Sequence, residues 1–444
     1  MSEPLALGLA HLLCRPVDAA QRARAARHLL DWIGCALAGG AEPVGPLLRQ
    51  VAALDGPGPC MALRAGRLSP MGAMLLNGGL GNVLEMDDTD RQGRVHPGDV
   101  VIPAVLAAAE LRGASGRQVL DAMVRGYEAM IRVARVVGDG HYRYWHITAT
   151  CGPFGAAAAC ASLAGADAPV LASALGHAGS QAAGLWQMRH EATVTKQLHT
   201  GRAAQAGWLA AELAVRGGAG PVSILDGVQG FFAATCPDGN PAGLLAPSAG
   251  DWLLPETSFK PWPACRHAHP AIEAALALRD GLPVQAVTGI EVATYGDALA
   301  FCDNAGPVTP HQGRFSLQHA VAVALLHGPP KLSHFAPAAL SDPALSALRR
   351  RIAVGPSAAC ERRYPAEMSA ALRVTLQDGS TAEVETVNAL GDPEKPLPDA
   401  DLQAKAEELM AAGGLSPEHI AAVVELAGQV EILTELSPLT DLLA

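Results

Sequence analysis

A chain of 444 residues exceeds what a single hydrophobic core usually sustains, so one large domain and a smaller one are expected. Half of the residues are hydrophobic, 17% are charged and only 4% are aromatic, so the interior must be assembled from Ala, Leu, Val and Gly, which favours closely packed helices. A formal net charge of -11 works against broad contact with phosphate backbones and excludes nucleic acid as an expected partner.

The longest apolar stretches, such as Gly155 to Ala166, fall short of the roughly 20 residues needed to cross a bilayer, so no membrane span is expected. The first residues lack a basic region followed by a small-residue cleavage site, and nine cysteines with no regular spacing suit a reducing compartment. A cytoplasmic location is the expectation, with most cysteines acting as buried small hydrophobes.

In chain order, Ala19 to Ala38 carries apolar residues at helical spacing (Ala26, Leu29, Leu30, Ile33, Leu37), with Gly39-Gly40 as its expected stop. Further helices are expected at about 70–85, 101–112, 116–136, 152–164, 168–185, 199–216 and 222–227, and no strand is expected among them. The pattern changes after the Pro-rich segment Phe259 to Pro270. A helix from Ala271 to Arg279 leads into the alternating, β-branched run Val287 to Tyr295, which reads as a strand. Ala371 to Leu376 and Ala382 to Val387 bracket Asp378-Gly379, a dipeptide suited to a tight hairpin. Helical patterns return at Leu402 to Ala412 and Pro417 to Ala427. The expected architecture is mainly α, with a large all-helical domain (1–264 plus 391–444) and a smaller α+β lid domain (265–390).

Four polar clusters interrupt this apolar chain. Glu85-Met-Asp-Asp-Thr-Asp90, followed by Arg91, Arg94 and His96-Pro97, reads by itself as a solvated capping loop and gains weight only with company. Tyr142-Arg-Tyr-Trp-His146-Ile-Thr148-Ala-Thr precedes a Gly- and Ala-rich helix whose N-terminus could receive a carboxylate. Val194-Thr-Lys196-Gln-Leu-His199 holds one of only five lysines, against 27 arginines. A buried ammonium can be pushed toward neutrality and serve as acid or base, which a guanidinium cannot. Lys260-Pro-Trp-Pro-Ala-Cys265-Arg266-His267-Ala-His269 lies at the expected domain boundary, stiffened by prolines. His177 reads as a core histidine. No C-x-x-C, P-loop, dinucleotide fingerprint or G-x-S-x-G elbow is present, and His267 with His269 is weak support for zinc, so no metal or cofactor is expected.

Taken together the clusters resemble the MmgE/PrpD family, which includes 2-methylcitrate dehydratase, cis-aconitate decarboxylase and iminodisuccinate epimerase. The resemblance rests on Asp87-Asp88-Thr89 with His96-Pro97, Trp145-His146 with Gly152-x-Phe154-Gly155, Gly179-Ser180-Gln181, Thr195-Lys196 with His199-x-Gly201, Lys260-Pro-Trp-Pro with Arg266-His267, and Phe315-Ser316. It implies a helical domain holding both chain ends, a smaller lid domain, a homodimer, and a cofactor-independent active site between domains. The implied catalytic residues are Glu85, Thr89, His96, His146, Lys196 and Lys260. Asp88, Thr148, Cys265, Arg266 and His267 complete the candidates, as substrate-binding groups. The chain departs from the family pattern at Glu85 (usually Asp), at Gly98 (commonly Ser) and in a Thr89 to His96 spacing one residue longer than in the decarboxylase.

The expected activity is a lyase of the dehydratase type that abstracts an α-proton from a small di- or tricarboxylic acid. His146 or Lys196 would be the base and His96 the acid. An epimerase of a dicarboxylate such as iminodisuccinate is the alternative, followed by a cis-aconitate-type decarboxylase and a non-catalytic polyacid binder. Cys265 stands roughly where the decarboxylase carries an extra His, so decarboxylation is expected less than dehydration or epimerisation.

Overall fold

The computed structural model describes residues 3–191, 193–248 and 250–444. It is mainly α, 58% helical with 9% strand. Two compact units divide the chain: the larger takes residues up to Val83, Asp87–Thr257 and Asp399–Ala444, and the smaller takes Leu84–Met86 and Ser258–Pro398.

In the larger unit, the helix Ile147–Leu163 packs against both Gly116–Ala134 and Thr195–Val215. Small residues make these crossings possible. A Cβ added at Gly126 would lie 2.9 Å from the Gly155 carbonyl oxygen, and one at Gly207 would lie 2.4 Å from the Ala156 Cβ, so backbone stands where a side chain would otherwise hold the helices apart. The helix Ala19–Ala41 starts at Asp18, whose side chain accepts from the Gln21 N–H at 2.8 Å. It also packs on Asp399–Ala412, where Lys405 Nζ donates to Asp31 at 2.6 Å in a buried pair.

Three sequence expectations fail here. The first helix runs through Gly39-Gly40 to Ala41 instead of stopping there, because Gly39 is a packing glycine: its Cβ would sit 2.1 Å from the Leu80 carbonyl oxygen. The segment 222–227 is a series of turns. The larger unit is also not wholly helical, since β1 (Pro57–Met61) and β2 (Arg67–Leu68) pair antiparallel. Strands this short, one rich in Pro and Gly, give too few alternations to be read as a period.

The smaller unit is built on a four-stranded sheet in the order β4-β3-β5-β6, formed by β3 (Val287–Thr294), β4 (Ile352–Pro356), β5 (Ala370–Leu376) and β6 (Thr381–Thr386). β3 runs parallel to β4 with Ile290 opposite Ile352, and antiparallel to β5 with Val292 opposite Leu372. The β5–β6 hairpin turns through Asp378, which accepts from the Ser380 N–H at 2.9 Å, and Gly379 at φ +84°. Ile290, Val292, Leu372 and Val374 share one core with the helices His269–Arg279 and Leu317–His327.

Candidate functional site

The acidic motif is not a solvated loop. Glu85, Asp87, Asp88, Thr89, Asp90 and Arg91 are all buried, and buried polar groups have to be paired. Asp90 and Val95 exchange backbone hydrogen bonds at 2.9 and 3.2 Å, and the Thr89 hydroxyl donates to the Val95 carbonyl at 2.9 Å, closing the loop on itself. Asp88 is saturated. It receives the Tyr127 hydroxyl at 2.6 Å and the Gly98 N–H at 3.0 Å, and its Oδ2 lies 2.6 Å from His28 Nδ1. Burial alone would raise its pKa, but these partners outweigh it and hold the carboxyl below the usual range. Asp88, a substrate-binding candidate in the sequence, is thus committed to internal partners.

Asp87, its neighbour, pairs with Nδ1 of His96. His96 is partly exposed, and its backbone N–H donates to the buried Thr148 hydroxyl at 3.2 Å, which ties the acidic loop to the first turn of Ile147–Leu163. That helix begins five residues earlier than its composition suggested, so His146 is its N-cap and Thr148 and Thr150 lie within it. Thr150 is occupied elsewhere, 2.8 Å from His141 Nε2.

His146 is 1% exposed. Its N–H donates to the Gly184 carbonyl at 3.0 Å, and the Trp186 ring packs 4.6 Å from its imidazole. Its Nδ1 lies 3.1 Å from Nδ1 of His199, and its Nε2 has no hydrogen-bond partner among the described residues. Burial, with smaller electrostatic contributions from His199, Lys196 and His96, pushes the His146 pKa well below the ordinary value and keeps the ring neutral. Lys196 and His199 are three residues apart in the helix Thr195–Val215 and therefore share a face. His199 stood in the third polar cluster of the sequence and in a family motif, but was not among the expected site residues. Its helical spacing from Lys196 was the signal that could have marked it as a site residue.

In the smaller unit, Lys260 is fully buried with its Nζ 3.7 Å from Oε2 of Glu85, which is also buried and adopts a left-handed backbone at φ +55°. Arg266 donates through Nη2 to Asp392, whose Oδ1 also accepts the Ser258 hydroxyl at 2.7 Å. The Nη1 of this buried guanidinium has no partner among the described residues. His267 Nδ1 lies 2.8 Å from the Tyr295 hydroxyl and its ring stacks on Phe301 at 5.3 Å. Cys265 is buried beside Cys302, to which its side chain is hydrogen-bonded. His177, expected as a core residue, is only half-buried and lies 3.2 Å from the Gly218 carbonyl oxygen.

Asp87, His96 and Asp99 each bring a potential metal-ligand atom, all within 4.8 Å of one another. One imidazole and two carboxylates suit a divalent cation in donor type. Here the direct His96–Asp87 hydrogen bond takes up the space between two of the three.

Residues 4–243 match the MmgE/PrpD N-terminal domain and residues 262–428 match the MmgE/PrpD C-terminal domain. The chain belongs to the MmgE/PrpD family. It is 28% identical over 404 residues to the cis-aconitate decarboxylase of Homo sapiens, covering 85% of this chain and 80% of that protein. It is 26% identical to the cis-aconitate decarboxylase of Aspergillus terreus, covering 96% and 92% respectively. A shorter match, 33% identical over 132 residues, covers 28% of this chain and 27% of the 2-methylcitrate dehydratase of Cupriavidus necator. Similarity to decarboxylases and a dehydratase of this family supports a lyase-type activity for this MmgE/PrpD protein. No helix among its described residues is long and apolar enough to cross a membrane.

Proposed function

We propose that this protein is a dehydratase-type lyase that removes a proton α to a carboxylate of a small di- or tricarboxylic acid. The observation that carries the reading is the state of His146: a dry imidazole held neutral, with Nε2 engaged by nothing among the described residues. A buried neutral imidazole is a ready general base, and proton transfer to it needs no prior loss of a proton to water. His96, held through Nδ1 by Asp87, is the acid that delivers a proton to the departing β-hydroxyl, so that the C–O bond breaks and water leaves. Lys196 stabilises the negative charge that develops on the carboxylate as the α-carbon is deprotonated.

A second reading is decarboxylation, favoured by the extent of similarity: the cis-aconitate decarboxylases match over 85–96% of this chain, whereas the dehydratase of Cupriavidus necator matches over 28%. In that case the C–C bond to one carboxylate breaks and an acid delivers a proton to the carbon that carbon dioxide leaves.

Proton NMR in deuterated water separates these readings, using 2-methylcitrate, citrate, cis-aconitate, tartrate-like hydroxy acids and iminodisuccinate as a panel. New vinylic signals from a saturated hydroxy acid support dehydration, and release of carbon dioxide from cis-aconitate moves the assignment to a decarboxylase. Deuterium entering an α-position with no alkene makes the protein an epimerase. Silence across the panel overturns the lyase proposal for these acids.

A further inference from the structure

We infer that His199 is a positioning residue that fixes His146 in the tautomer carrying its hydrogen on Nδ1, which leaves the Nε2 lone pair open to the substrate's proton. The inference rests on the reading of His146 as the base.

The two Nδ1 atoms stand 3.1 Å apart, and only one hydrogen can lie between them. Suppose His199 were the donor. The one ring hydrogen of neutral His146 would then sit on Nε2, where no acceptor stands among the described residues and the residue is 1% exposed. A buried N–H without an acceptor is rarer and costlier than an under-used acceptor. The reverse arrangement carries no such cost. His146 donates from Nδ1, and half-buried His199 accepts while keeping its own hydrogen on Nε2. A second hydrogen on either ring is opposed by burial, and on His146 also by Lys196 and His96.

The backbone around the pair is built to hold it. Trp145 and Leu185 form an antiparallel bridge, His146 N–H bonds to the Gly184 carbonyl at 3.0 Å, and Trp186 N–H bonds to the Tyr144 carbonyl at 2.9 Å. Gly184 closes this short ladder at φ +129°. A Cβ there would meet the Ala149 Cβ at 2.4 Å and the His199 ring at 3.5 Å. The ladder thus holds the His146 backbone on Gly184 and brings that glycine, with no side chain in the way, against the His199 ring. A positioned tautomer governs rate more than affinity, because a base with its hydrogen on the wrong nitrogen binds substrate and cannot take the proton.

The test is nitrogen-15 NMR of histidine-labelled protein, with the His146 signals assigned by their loss in His146→Asn. The wild-type protein is expected to show His146 protonated at Nδ1 and bare at Nε2. His199→Phe keeps a ring without an acceptor and is expected to move the hydrogen to Nε2, with kcat falling about 100-fold and KM changing far less. His199→Asn offers an amide oxygen near the position of Nδ1 and is expected to keep the wild-type tautomer and most of the turnover. A wild-type spectrum with the hydrogen on Nε2, or an unchanged His146 tautomer in His199→Phe, overturns the inference. The wild-type spectrum decides even if His199→Phe fails to fold. It decides also if no acid in the panel turns over, an outcome that sinks the assignment of function and leaves the tautomer measurable.

Discussion

His28 and His146 lie in the same unit, both are buried to 1% exposure, and burial lowers the pKa of both. They differ in closure. His28 spans two partners, with Nδ1 2.6 Å from Asp88 and Nε2 3.0 Å from the Thr257 hydroxyl, and Asp88 is in turn filled by Tyr127 and Gly98. His146 is bonded at Nδ1 and has nothing at Nε2 among the described residues. A closed network contributes rigidity, because every donor and acceptor is already spent. An open one keeps a reactive atom ready at some cost in stability. What separates the two histidines is the second nitrogen, since burial and pKa direction are shared.

The sharpest break in that comparison is His146→Asn. Removing the base should lower turnover by about 10²- to 10⁴-fold while thermal unfolding stays close to wild type, because the lost ring leaves behind one hydrogen bond to a half-buried partner. Steady-state kinetics and a melting curve on the same preparation check it. Turnover within tenfold of wild type would remove His146 from the role of base.

Lowering the pH tests the closed side. The folded-state pKa of His28 is lowered by burial from 6.5 to about 4, so the fold binds its proton less readily than the unfolded chain does. Stability from this group is therefore fully present above about pH 6.5 and is lost as pH falls through 4, a change on the order of 3 kcal/mol. Urea unfolding at several pH values should show this loss, and His28→Gln should flatten it. The acid limb of turnover follows a different group. His146 must be unprotonated to act, and its pKa lies well below 6.5, so turnover should hold through pH 6.5 and decline only at lower pH. A limb centred at 6.5 or above would contradict a buried neutral base.

Much of this was legible where local chemistry decides and illegible where distant packing does. The hairpin around Asp378-Gly379 and the strand at Val287–Thr294 declare themselves through turn residues and alternation. β4 does not, because five residues ending at Pro356 make a strand only by lying parallel to β3. Gly39-Gly40 read as a helix stop since glycine serves both to end helices and to admit a neighbour, and only the Leu80 carbonyl oxygen shows which applies. The polar clusters stood out against an apolar chain, which marked Glu85–Asp90, His146, Lys196 and Lys260 for attention. Their division of labour did not. Asp87 and Asp88 are adjacent and identical, and Asp88 is committed by His28 and Tyr127, 60 and 39 positions away in the chain.

Tyr127→Phe opens the closed network by a single atom. Asp88 loses one of three charge-assisted hydrogen bonds in a dry setting, which should cost about 2 kcal/mol in urea unfolding. Turnover per folded molecule should stay within about tenfold, or ~1.4 kcal/mol of barrier, because Tyr127 holds the scaffold. A large fall in kcat at unchanged stability would show that the closed network serves the chemistry directly.

The smallest effect is expected at the joint between the acidic loop and the His146 helix. Thr148 Oγ1 accepts the His96 N–H at 3.2 Å, a long bond, so Thr148→Val, which keeps the shape of the side chain, should cost about 1 kcal/mol of stability. Thr148→Ser keeps the acceptor and should cost less. The kinetic consequence is the more telling one. His96 is held at its ring by Asp87 and at its backbone by Thr148, so freeing the backbone while the ring stays paired tests which contact aims the acid. If Thr148→Val lowers kcat as Thr148→Ser does not, the backbone contact sets the position of His96. If both variants keep the wild-type rate, the pairing with Asp87 is sufficient to aim it.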